Sequence, residues 1–437
     1  MEYVPNIIFA VILIIGIGYF SRNVKKLFRN IKLGRDLDVS DDKPQRWKNM
    51  SMIALGQSKM VKRPIAGFLH VIVYVGFVII NIEVLEIIID GLIGTHRIGL
   101  HILPNAVYGF LIGSFEVLAV LVLIAVVVFW LRRNVIKLKR FLSAEMKGWP
   151  KSDGNIILYF EVVLMCLFLI MNATDLEFQA LNSGNVISQF IAPWFHGFSE
   201  GTIHLIERSA WWLHIIGILV FLNYLYFSKH LHILLAFPNT YYGKLTPKGQ
   251  FDNLEAVTKE VKMMMDPNVD PFAAPPEGED AAMPAKFGAS DVQDLSWVNL
   301  LNAYTCTECG RCTSECPANQ TGKKLSPRKI MMDTRDRLEE VGKNIDANKG
   351  EFKEDGKQLL GDYITNEELW ACTSCNACVE ACPVSIDPLN IIMQMRQYLV
   401  MEQSAAPMEL NNMMTNIENN GAPWPYNQMD RLNWKNE

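Results

Sequence analysis

Two short cysteine runs constrain this chain more than any other feature. CTECGRCTSECP occupies positions 306–317, and CTSCNACVEACP occupies 372–383. Each reads C-x2-C-x2-C-x3-C-P. Three thiolates at that spacing wrap one corner of an iron–sulfur cubane. The fourth, before proline, ligates the other cluster of a two-cluster site. The runs therefore predict one [4Fe–4S] cluster on Cys306, Cys309, Cys312 and Cys382, and a second on Cys372, Cys375, Cys378 and Cys316. Zinc sites more often carry two C-x2-C pairs with a longer gap. A disulfide framework does not fit, because regular short spacings without a secretory signal point to metal ligands in a reducing compartment. The ninth cysteine, Cys166, lies in an apolar segment and is expected to be a small buried hydrophobe.

The rest of the chain has two unlike halves. Half of the 437 residues are hydrophobic, but the long apolar runs end near residue 236. Five are long enough to cross a bilayer, at about 20 residues per helix: roughly 5–20, 66–93, 103–131, 154–173 and 209–236. The first has no basic region before it and no small-residue cleavage site, so it reads as a span rather than a signal peptide. Basic residues crowd 21–65 (Lys25, Lys26, Arg29, Lys32, Arg35) and 132–151 (Arg132, Arg133, Lys137, Lys139, Arg140). The other connections have few. The positive-inside rule then places the N-terminus outside and the cysteine runs in the cytoplasm. A net charge of −5 argues against nucleic acid as the main partner.

All eight histidines precede residue 233. His70 begins the second span. His214 and His232 lie 18 residues apart on the expected fifth span. On one continuous helix that is five full turns and a rise of about 27 Å, so both face the same way, while His230 points elsewhere. Ionisable residues within a span usually serve a purpose, and imidazole is a common axial ligand of haem iron. One b-type haem is expected between His70 and His232 near the cytoplasmic face. A second, near the outer face, would use His214, with its partner open between His96 and His101; His101 is close to the start of the third span. The alternative is that these histidines are interfacial polar residues. Glu83, Glu86, Glu116 and Glu161 also fall within spans and are candidates for quinone or proton handling, or for structural pairing.

The five spans, with His214 and His232 on the last, resemble the gamma (cytochrome b) subunit of respiratory nitrate reductase and the membrane subunit of heterodisulfide reductase. That family places two histidines on its second span; here only His70 is present, and Ile80 stands roughly where the other would fall. YTCTECGRCTSECPANQTGKKLSPRKI resembles the dicluster module of heterodisulfide-reductase-like and glycerol-3-phosphate-dehydrogenase-like iron–sulfur subunits. IENNGAPWPYNQMDRLNW resembles the segment that precedes the cysteine-rich CCG domains of membrane-bound electron-transfer-flavoprotein:menaquinone oxidoreductases. No CCG motif occurs before Glu437, so a separate CCG-domain iron–sulfur subunit is the expected partner.

The resemblance implies an all-α fold: a five-helix transmembrane cytochrome b bundle followed by a mainly helical cytoplasmic dicluster ferredoxin domain. The expected divisions are a haem b domain at 1–240, a Pro- and acid-rich linker at 241–294, the dicluster domain at 295–403, and a partner-binding tail at 404–437. Between the cysteine runs, LSPRKIMMDTRDRLEEVGKNI reads as a helix with Pro327 in its first turn. The implied function is electron transfer in a bacterial inner membrane. A cytoplasmic donor, electron-transfer flavoprotein or another flavin protein, would exchange electrons with menaquinone through two [4Fe–4S] clusters and one or two b haems. Alternatives are an anchor and electron-transfer subunit of a lactate-, glycolate- or glycerol-3-phosphate-type dehydrogenase or of a heterodisulfide-reductase-like complex, or a redox-sensing anchor. The sequence offers no nucleophile triad, phosphate loop or dinucleotide fingerprint.

Overall fold

The computed structural model describes residues 3–247, 249–268 and 286–436. Among them there is no strand. Five long helices come first: α1 (Val4–Ile31), α2 (Pro64–Ile93), α3 (Asn105–Asn134), α4 (Trp149–Thr174) and α5 (Glu200–Tyr224). Each is long and apolar enough to cross a membrane. Helices suit that setting because they satisfy every backbone group internally. Local signals set their ends. Pro64 opens α2 and Gly94, at φ 83°, closes it; Ser199 caps α5 by accepting from the Thr202 amide. α2 packs on α3, α3 on α4 and α4 on α5, with α1 against α2 and α5. The outer faces stay apolar: α1 exposes Ile7, Ile14 and Ile15. Cys166, expected inside, is exposed on α4. A thiol is apolar enough for a surface that meets lipid, so burial within the protein is not required of it.

The expected fifth span is not one continuous helix. α5 ends at Tyr224, 3-10 turns follow at Leu225–Phe227 and Lys229–Leu231, and α6 (His232–Tyr241) starts afresh. Ser228 between the turns is extended, at φ −119° and ψ 148°. Buried Asp153 of α4 drives the break: it accepts from Tyr224 Oη at 2.6 Å and from the Lys229 amide at 3.2 Å. The five-turn relation between His214 and His232 therefore does not hold.

The second half is helical: α7 (Trp297–Thr305), α8 (Arg311–Glu315), α9 (Pro327–Ala347), α10 (Ala377–Ala381), α11 (Pro388–Met401) and α12 (Met408–Asn420). Pro327 does occupy the first turn of α9, behind a Ser326 cap. Arg337 of α9 is fully buried and binds Asp291 and Asp355. The expected linker is not uniformly open, since Ala289 and Val292 belong to the core. Its middle, 269–285, lies outside the described residues.

This half is docked on one end of the bundle. The Arg35 amide donates to Leu295 O at 2.8 Å, and the Trp297 amide donates to Arg35 O at 3.0 Å. Asn30 donates to Tyr304 Oη at 2.8 Å, and Asn239 donates to Val384 O at 2.8 Å. Buried Arg328 donates to Arg140 O at 2.6 Å and pairs with Glu145 at 2.7 Å. The two basic connections of the bundle thus lie at the end that carries the cysteines.

Candidate functional site

The two cysteine runs share one backbone shape. Glu308 and Ser374 have φ of 53° and 57°, while Gly310 and Asn376 have 71° and 60°. Both pairs are 66 positions apart, as are Cys306 and Cys372. Non-glycine residues in the left-handed region are uncommon and cluster where a loop must wrap a ligand. At position 310 a Cβ would lie 2.5 Å from Arg328 Nη1, so a side chain there would displace the bond that Arg328 makes to Arg140 O. The short helices that follow, α8 and α10, pack against each other. Their packing brings sulfurs from different runs together. One cavity is lined by Cys306, Cys309, Cys312, Cys378 and Cys382. Burial holds the Cys312 thiol well above its ordinary pKa, and the nearness of Cys309, Cys306 and Cys382 adds to that rise. Burial raises Cys378 as well, with Cys372 and Cys316 among its neighbours. Backbone amides of Ser374 and Ile386 donate to the sulfurs of Cys372 and Cys382, at 3.4 and 3.3 Å. Such hydrogen bonds to sulfur tune cluster potential.

Charged side chains fix each loop. In the first run, Arg311 donates to the carbonyls of Lys59 and Met60, both at 3.1 Å. Glu308 pairs with Lys229 and with Arg335, the latter at 2.8 Å. Burial alone would raise the Glu308 carboxyl, but Lys229 and Arg335 hold it below the usual range. In the second run, Arg396 lies over Trp370 and donates to the carbonyls of Leu369 and Cys372 at 2.6 and 2.5 Å. The first run is thus tied to the bundle through Arg311 and Glu308.

Beside that attachment three histidines meet. The His70 and His232 ring centroids are 6.4 Å apart. Two imidazoles that bind one metal from opposite sides, at about 2 Å per bond, need a separation of about 6 Å. His232 Nδ1 lies 3.0 Å from Lys229 O, so a hydrogen bond there leaves Nε2 available as a ligand. His70 Nδ1 is buried without a hydrogen-bond partner. These features fit a bis-histidine haem. His230 also belongs to the cluster, 5.3 Å from His232 and 5.5 Å from Phe221. The sequence passed it over because the angular argument assumed an unbroken helix, and the break depends on Asp153 of another helix.

The outer histidines are less gathered. His214 is 2% exposed, its ring 6.2 Å from Phe168, with Nδ1 unpartnered. Among the described residues no second imidazole touches it. His101 is exposed. His96 instead pairs with Asp175 at 3.2 Å and Glu177 at 3.3 Å.

The four carboxylates separate by environment. Glu116 is fully buried and satisfied: it accepts from Asn172 at 3.1 Å and from the Ile187 and Ser188 amides at 2.7 and 3.0 Å. It holds a connection in place. Glu161 is half-buried with no hydrogen-bond partner among the described residues. Glu83 and Glu86 line a cavity of about 350 Å³ at the end of the bundle away from the cysteines. Glu86 accepts from the Gly99 amide at 2.9 Å and Tyr108 Oη at 3.1 Å. Glu83 is 3% exposed and its Oε2 has no partner. Arg97, bound to Asp175 at 2.6 Å and Asn172 at 2.8 Å, supplies another wall. Phe9, Trp211 and Trp212 form an aromatic side, with Phe9 5.5 and 5.9 Å from the two indoles. The sequence marked the two glutamates, but Arg97, Asp175 and the aromatic side required the fold.

Residues 305–386 match the family model of the 4Fe-4S dicluster domain. The chain carries a dicluster domain. It is 28% identical, over 99% of its length, to a probable iron-sulfur-binding oxidoreductase, FadF, of Bacillus subtilis. It is 26% identical over 92% of its length to an EtfAB:quinone oxidoreductase of Syntrophomonas wolfei. It spans only 61% and 55% of those two proteins. A probable membrane-anchored ferredoxin of Chromohalobacter salexigens is 32% identical over 34% of the chain and 24% of that protein. No solved structure matches. Together with the five apolar helices, these likenesses make the dicluster chain a membrane-associated iron–sulfur protein.

Proposed function

We propose that this chain is a membrane electron-transfer subunit of a quinone-linked oxidoreductase. Its redox cofactors would be two [4Fe–4S] clusters and b-type haem. Its cytoplasmic donor would be an electron-transfer flavoprotein, or another flavin protein, acting through a CCG-domain partner, and its membrane partner would be menaquinone. The observation that carries this reading is the docking of the first cysteine loop, through Arg311 and Glu308, on the bundle end where His70 faces His232. A soluble ferredoxin or a passive anchor has no need of that junction. The name of the Syntrophomonas relative, an EtfAB:quinone oxidoreductase, supports this choice of donor. The tail supports a partner at the cysteine end, since it exposes Met408, Tyr426, Met429 and Trp434 where a covering chain could bury them.

His70 and His232 would hold the haem, which when bound supplies one-electron chemistry. The chain's own residues do the rest. Arg311 and Lys229 fix the distance between the first loop and the bundle, and Arg335 of α9 steadies Glu308 from the other side. Glu83 and Glu86 serve quinone in the aromatic-sided cavity, which is of ligand size. Reduction of a quinone takes up two protons, and Glu83, buried and unpartnered, is placed to hold one. His96 with Asp175, at the cavity rim, links it to water.

The test uses the purified chain in liposomes with menaquinone, its clusters reduced beforehand. Quinone is expected to reoxidise them, followed by their visible absorbance. Glu83→Gln should slow that step on the order of a hundredfold, the scale of a lost proton-transfer group, with iron content unchanged. An unchanged rate would remove Glu83 from the mechanism. Failure of quinone to reoxidise the native protein would contradict the function itself.

A further inference from the structure

A second cavity, of about 450 Å³, opens on the flank of the bundle at the end that carries the cysteines. Lys62, Arg63, Arg132, Lys139 and Arg140 line it, and no carboxylate does. Lys62 and Arg63 also pair with Glu380 and Glu315, at 2.8 and 2.7 Å. Arg132, Lys139 and Arg140 have no carboxylate partner among the described residues. Arg140 Nε is buried without a hydrogen-bond partner. α2 begins in the same cavity at Pro64, and no side chain caps its N-terminus. The start of a 30-residue helix adds free amides and a positive dipole end. Three of these five cations thus face the cavity without a carboxylate partner, and an anion there would offset their mutual repulsion.

The surroundings specify which anion. Ile65 and Leu138 belong to the lining. Beside it the surface is apolar: Ile65, Phe68, Val135 and Ile136 are between 60% and 68% exposed. These side chains continue the apolar faces of α2 and α3, so they sit where acyl chains would lie. A soluble acidic peptide would leave them in water. A free phosphate would make no use of them.

We infer that this groove binds the phosphate of an anionic phospholipid, with its acyl chains along Ile65, Phe68 and Ile136. Basic pockets between helices at one membrane face take such headgroups, with each nearby cation contributing on a similar scale. The inference is independent of the donor, of haem and of the quinone cavity.

The experiment uses the full chain in nanodiscs of equal parts phosphatidylglycerol and phosphatidylcholine, released into detergent and weighed by native mass spectrometry. Phosphatidylglycerol is expected to remain bound at least tenfold over phosphatidylcholine. R132Q/K139Q should lose that preference with iron content unchanged. Leu138→Glu, which adds a carboxylate to the rim and removes no cation, should lose it too, so the inference stays testable if the double variant folds poorly. Equal retention of the two lipids, or retention unaffected by both variants, would overturn it. Displacement of the lipid by inorganic phosphate would also overturn it, and would assign the groove to a free anion.

Discussion

Cys382→Ala is expected to remove the cluster bound through the first cysteine run and to spare the one bound through its own. The cavity that holds Cys306, Cys309 and Cys312 also holds Cys382, because α8 and α10 pack against each other and carry the fourth cysteine of each run across. Non-haem iron should fall from about eight to about four atoms per chain. Cys316→Ala should produce the complementary loss, since Cys316 and Cys372 lie close together. The two variants then leave different clusters, distinguishable by their electron paramagnetic resonance spectra. Retention of the first cluster in Cys382→Ala, with loss of the second, would mean that each run binds its own cluster.

The second large effect concerns stability. Arg337 is fully buried in α9 and holds three segments together. It donates to Asp291 Oδ2 at 2.8 Å, to Asp355 Oδ2 at 2.6 Å and to Lys357 O at 2.7 Å. Asp291 in turn accepts from the Leu359 amide at 3.1 Å. Replacing Arg337 by Met leaves two carboxylates facing each other with no cation between them. Loss of one partner of a buried pair costs about 3–5 kcal/mol. Arg337→Met should therefore release its clusters at a markedly lower temperature, read from their visible absorbance on heating. The added changes Asp291→Asn and Asp355→Asn should recover part of the loss by removing the repulsion. A pH dependence follows. The hydrogen bond from Arg337 holds the Asp355 carboxyl below its usual value of 3.8. A depressed folded-state value means the stabilisation is complete above the unfolded pKa and fades as pH falls through the folded one. Arg337→Met should therefore be hurt most at neutral pH, and the gap to the native protein should close below about pH 4. Identical melting of the two proteins at neutral pH would contradict this.

The cysteine positions were legible because cluster chemistry demands both the residue type and the spacing. The five spans were legible because a bilayer demands length and apolarity. Their ends were less so: α1 runs to Ile31, well past the apolar stretch that ends near residue 20, where Asp346 and Gly342 O hold its basic last turns. The fifth span misled. Its apolar residues run on past Tyr224, but Asp153 on another helix ends the helix there, and no local propensity records that. Cys166 misled for a related reason, since a bundle in lipid turns apolar residues outward as well as inward. The quinone candidates separated only once partners were visible. Glu116 and Glu83 look alike in sequence; three donors satisfy the first, and nothing satisfies Oε2 of the second.

The most direct test is the haem content of the purified chain by pyridine haemochrome, with His70→Ala and His214→Ala alongside and iron and sulfide measured in each. His70 and His232 predict one b haem that His70→Ala removes while both clusters stay. His214, without a second imidazole among the described residues, predicts that His214→Ala leaves that haem in place. Absence of haem from the native protein, or its survival in His70→Ala, would contradict the proposed junction between the clusters and the membrane.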